Sequence, residues 1–135
     1  MTNTALKAVT QYHSADNSSI AYADPHELIL RLLNGAIERI AQAKGAMQHQ
    51  NVQQKGELLG KAISIIGGLD GCLDHSQGGT LSQNLSDLYL YMIISLTQAK
   101  ISDDIAKLNE ISELLLQIKS AWEQIPEQTQ TAGAY

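Results

Sequence analysis

Four stretches of this chain repeat apolar residues at alternating steps of three and four, with no strand-like alternation between them. That period keeps a stripe of side chains on one side of an α-helix, whereas a half-buried strand needs steps of two. The chain is therefore restricted to helices that hide one stripe each against one another. The last stretch is the most regular, running through Leu108, Ile111, Leu115, Ile118, Trp122 and Ile125. The first carries Ile29, Leu33, Ala36, Ile40, Ala43 and Met47. It opens at Asp24-Pro25-His26-Glu27, where Asp24 can cap, Pro25 fits the first helical position and Glu27 completes a capping-box spacing. This helix is expected to run to about Gln48.

The second stretch is seamed by Leu59, Ala62, Ile66, Leu69 and Leu73 and is expected to end near Asp74 to Gln77. Gly78-Gly79 then breaks the pattern, and Thr80-Leu81-Ser82-Gln83 offers a capping box for a third helix seamed by Leu81, Leu85, Leu88, Met92 and Ala99. A turn at Ile101 to Asp104 sets acidic residues at the positive end of the fourth helix. Connections this short make consecutive helices antiparallel neighbours. The expected fold is all-α, an antiparallel up-down four-helix bundle over residues 24–125. In the leader, residues 1–23, Ala5, Ala8, Val9 and Tyr12 have helical spacing and predict a short mobile helix. Residues 126–135 read as a flexible tail.

A chain of 135 residues is long enough for one domain with a real core. Its net charge of −5, with scattered Lys and Arg, argues against nucleic-acid binding. The single cysteine, Cys72, cannot form an internal disulfide, and Met1-Thr2-Asn3-Thr4 lacks the pattern of a signal peptide. The longest apolar run, Leu88 to Ile94, is far too short to span a membrane. A cytosolic protein is expected.

The four histidines His13, His26, His49 and His75 are dispersed, with no cysteine pair or Glu-x-x-His pair to complete a metal site. His75 invites comparison with histidine phosphotransfer modules, but it stands at a helix end beside Asp74, where a capping or solvated role suffices. No nucleophile with an adjacent base and no phosphate-cradling loop stands out, so no catalytic residue, cofactor or metal is expected.

Two features exceed what a bundle requires. On the second helix Gly56, Gly60, Ser64, Gly67 and Gly71 align small residues along one side, although each interior glycine costs about 0.8–1 kcal/mol against alanine. They make either a groove for another backbone or a tolerated side of the bundle. On the third helix Leu88 to Ile94 is apolar in every direction, so beyond its seam Tyr89, Tyr91 and Ile94 remain for some other surface.

Read in order, these marks resemble the FliS family of flagellar secretion chaperones over nearly the whole chain. The residues that carry the resemblance are Asp24-Pro25-His26-Glu27-Leu28-Ile29, Leu33-Asn34-Gly35-Ala36-Ile37, Leu73-Asp74, Gly78-Gly79, Asn84-Leu85, Leu88-Tyr89-Leu90-Tyr91-Met92 and Trp122. The chain departs from the family pattern at Leu90, usually acidic, at Leu33, often aromatic, at Lys100, commonly asparagine, and at Gly67-Gly68, usually larger. The resemblance implies a non-enzymatic cytosolic chaperone that holds the C-terminal segment of flagellin, prevents its early polymerisation and delivers it to the flagellar type III export apparatus. Export-gate components or regulators are further partners it implies, and a leader that can occupy the client surface is a family trait. The expected partner-binding residues are Val9, Tyr12 and Tyr22 of the leader, Gly60, Ile63, Ser64, Ile65, Gly67 and Gly71 of the second helix, and Tyr89, Tyr91 and Ile94 of the third. The rival readings are a histidine phosphotransfer module and a bundle that associates with itself.

Overall fold

Asp24 sets the start of the first helix as its sequence requires. Its backbone is extended, its carboxylate accepts the Glu27 N–H at 2.9 Å, and Pro25 follows at the first helical position. The computed structural model describes residues 24–125, so the expected leader helix and tail, with the sites at Val9, Tyr12 and Tyr22, lie outside the described residues. Helix α1 covers Pro25–Gln48 and ends where its seam ends. His49, Gln50 and Asn51 turn the chain, with Gln50 in the left-handed region at φ 56°. Asn51 caps α2, Val52–Gly71, by accepting the Gln54 N–H at 3.0 Å.

Helix α2 stops a few residues earlier than expected, because Asp74 is committed to capping the next helix. Its carboxylate accepts both the backbone N–H and the hydroxyl of Ser76, at 3.1 and 2.6 Å. Helix α3 therefore spans His75–Ser102, with a kink at Gly79 (φ 54°, ψ −126°) where the glycine pair predicted a break. Beyond the non-helical Gly79 the helix restarts at about Thr80, as the glycine break predicted, but Ser82 of the expected capping box does not face solvent. Ser82 instead is buried and donates its hydroxyl to the Asp74 carbonyl at 3.2 Å, tying the arm beyond the kink back to the link before it. Asp103, left-handed at φ 54°, ends α3, and Asp104 caps α4, Ile105–Glu123, by accepting the Lys107 N–H at 3.0 Å.

The four helices close a ring in which α1 packs on α2 and α4, and α3 bridges α2 and α4. Cross-helix bonds fix the directions. His26 meets Trp122 while Lys44 meets Asn109, so α1 and α4 run antiparallel; Lys55 near the start of α2 meets Asp103 at the end of α3. The fold is an all-α four-helix bundle. The expected seams of α1 and α4 point inward, Ile118 and Ile125 only partly, and α2 adds Leu59, Ala62, Ile66 and Leu69 to the centre. Full burial of each large apolar side chain stabilises the fold by roughly 1.5–3 kcal/mol against an exposed one. On α3 the phase differs from expectation. Tyr89, Met92, Ser95, Leu96 and Ala99 are buried, Leu85 and Leu88 only partly so, and Leu81 is exposed.

Candidate functional site

Three helical turns of α3 put apolar side chains where water is. Leu90, Ile94 and Ile101 share one face, opposite Met92 and Leu96, and are 56%, 49% and 85% exposed. A bundle helix normally shows charged or polar groups there. Asp87 is the only charged residue between His75 and Ala99, so this face has little to oppose an apolar partner.

Tyr91 borders the same face on the side of α4. Its hydroxyl donates to Glu110 Oε2 at 2.6 Å and accepts from Lys107 Nζ at 3.1 Å, while Lys107 Nζ also reaches Glu110 Oε1 at 2.9 Å. The ammonium lies 5.5 Å from the tyrosine ring centroid, within cation–π range. The bond from Lys107 is the main cause holding the Glu110 carboxyl below the usual glutamate range, with Tyr91 adding to it. The same contacts, that to Glu110 foremost, raise the Lys107 ammonium above the ordinary lysine range.

The glycine side of α2 is open. A Cβ built on Gly56, Gly60 or Gly67 would meet nothing within 4 Å, so packing inside the bundle does not require glycine at these positions. Ser64 is exposed and Ile63 half-buried beside them, with Gly71 half-buried at the helix end. Two of the expected surface residues belong elsewhere: Ile65 and Tyr89 are core residues, each 4% exposed. Their outward assignment is corrected, because Tyr89 packs into the core cluster with Met92 and Leu96, and Ile65 lies beside Ile66 on the inner half of α2. Burial is the main cause raising the Tyr89 phenol above the tyrosine range, with Cys72 and Asp70 contributing.

Tyr89 also lines an apolar cavity of about 220 Å³ at one end of the bundle, where Ile29, Leu69, Leu85, Ile118, Trp122 and Ile125 converge from all four helices. An apolar hole of about 150 Å³ already holds a benzene-sized molecule, so this one has room for a large apolar side chain. Its wall is stitched by Trp122, whose Nε1–H donates to the His26 carbonyl at 3.1 Å, and whose ring stacks on that of His26 at 5.5 Å. Leu90, Ile101 and this cavity were not among the expected site residues. The first two were visible in the sequence, since they share the face of Ile94; the cavity depends on how four helix ends meet.

Among the described residues no cluster of His, Cys, Asp and Glu is placed to hold a metal ion, and no helix is long and apolar enough to cross a membrane. His75 is exposed at the start of α3. The model of the family described as flagellar protein FliS matches residues 8–129.

The chain belongs to the FliS family.

The flagellar secretion chaperone FliSB of Pseudomonas aeruginosa is 48% identical over 122 residues, 90% of this chain and 97% of that protein. Flagellar secretion chaperone FliS of Vibrio cholerae is 44% identical over 110 residues, covering 82% of this chain and 81% of that one. The Salmonella typhimurium FliS is 40% identical over 125 residues, 92% of this chain and 91% of its own length. All three of these relatives are named flagellar secretion chaperones.

Proposed function

We propose that this FliS-family chain is an export chaperone that binds the C-terminal segment of flagellin in the cytosol, keeps it from polymerising early and assists its delivery to the flagellar export apparatus. The observation that carries this reading is the outward stripe Leu90, Ile94 and Ile101 on α3, bordered by Tyr91. A helical client lays its apolar positions along such a stripe, and removing that apolar surface from water drives association. The glycine side of α2, with Gly60, Ile63, Ser64, Gly67 and Gly71, supports a second contact, where the missing side chains let a client backbone come close. The end cavity suits a further apolar anchor of the client.

Ordering a disordered client costs several kcal/mol, so a broad surface is needed and no single contact suffices. The test is titration of the purified chain with a flagellin C-terminal fragment, followed by calorimetry. Saturable binding with a negative heat-capacity change supports the reading, and no heat at two well-separated temperatures with fragment in the tens of micromolar, on the order of weak affinities, contradicts it. A dimer that persists on dilution and excludes the fragment points to self-association instead.

A further inference from the structure

We propose that Lys107 and Glu110 are positioning residues for client binding, acting through Tyr91, which they clamp at the edge of the exposed apolar face of α3. The proposal rests on the chaperone reading above.

Tyr91 is 39% exposed, and an unrestrained tyrosine at that position would sample several rotamers. Here its hydroxyl has both its donor and an acceptor site used, by Glu110 at 2.6 Å and Lys107 at 3.1 Å, and the two clamping groups are joined to each other at 2.9 Å. The triangle spans two helices, so it fixes the ring relative to α4 as well as α3. Exposed ion pairs of this kind contribute little to folding. They do remove rotamer freedom that a client would otherwise have to freeze on binding. Polar groups that add little to folding but hold an aromatic ring beside Leu90 and Ile94 therefore prepare the surface in advance.

The experiment measures affinity for the flagellin C-terminal fragment in Lys107→Met, Glu110→Gln, Tyr91→Phe and the Lys107→Met/Tyr91→Phe double variant, with urea midpoints to confirm intact folding. Each single variant is expected to weaken binding by about three- to tenfold, the range set by freeing one side chain. Lys107→Met is expected to have a much smaller effect once Tyr91 is phenylalanine, because only the contact with the ring remains. The two charge changes are of opposite sign, so simple attraction or repulsion of a charged client would move them in opposite directions. Opposite movement overturns the proposal, as does unchanged affinity in both, or a full Lys107→Met effect in the Tyr91→Phe background. If the wild-type chain itself does not bind the fragment, the chaperone reading falls and this inference falls with it.

Discussion

Gly60 and Gly79 carry the same missing side chain for opposite reasons. At Gly60 the helix is regular and a methyl group would meet open space, so Gly60→Ala is expected to raise stability by about 0.5–1 kcal/mol in urea unfolding. The same change is expected to weaken binding of the flagellin fragment if a client backbone passes there. At Gly79, φ 54° and ψ −126° place the backbone where an L side chain is strained, so Gly79→Ala is expected to lower stability by about 1–3 kcal/mol. Cys72 is a third case set by surroundings, since burial pushes its thiol up to about 11. The thiolate is the reactive form, so alkylation at pH 8 is expected to be slow in the native protein and fast in urea, as followed by mass spectrometry. Fast native labelling would contradict that burial. Glu110 works in the other direction. Its carboxyl is held below the ordinary range, so its share in the Tyr91 clamp is complete above the unfolded value and is lost as pH falls through the lowered one.

Helix α3 was the least legible of the four elements, and its composition explains why. Where apolar residues run unbroken from Leu88 to Ile94, a period of three and four fits more than one phase, and nothing in the run selects Tyr89 for the core over Leu88 or Leu85. The choice lies in how this helix packs against α2 and α4, which is a matter of contacts between segments rather than a property of the run. By contrast α1 and α4 have polar residues between their seam positions and explicit caps, and both could be placed from the sequence with ends correct to a few residues. The far end of α3 shows a different dependence on its neighbours. There Lys55, only 5% exposed, reaches Asp103 at 2.6 Å and so pins the α3 to α4 turn to the start of α2. Asp103→Asn keeps a residue that tolerates the left-handed backbone but removes the charge facing a buried ammonium. It is expected to cost about 1–3 kcal/mol in urea unfolding, and a neutral result would mean that water already serves Lys55 there.

Residues 24–125 form a ring of four helices whose seams close on one another while the outer face of α3 stays apolar. Fold class, helix count among the described residues and the inner seams of α1, α2 and α4 followed from periodicity and capping, because those depend on residues near in sequence. The surface was legible only in part. Tyr91 and Ile94 are on it and Gly60, Ser64 and Gly67 face open or partly open space, whereas Ile65 and Tyr89 are core and the end cavity depends on residues as far apart as Ile29 and Trp122. A stripe about half exposed at Leu90 and Ile94 contributes only modestly to folding and can be altered without unfolding the bundle. Leu90→Ser with Ile94→Ser is therefore expected to lower stability in urea unfolding by only about 1–2 kcal/mol and to leave the bundle folded. The most direct measurement is titration of the flagellin C-terminal fragment into the wild-type chain and into this double variant under one set of conditions. Saturable binding by the wild type and a loss of at least about tenfold in the folded variant, the scale of a kilocalorie or two, is the expected result. Equal affinity in the two would place the client elsewhere and contradict the role given to the outer face of α3.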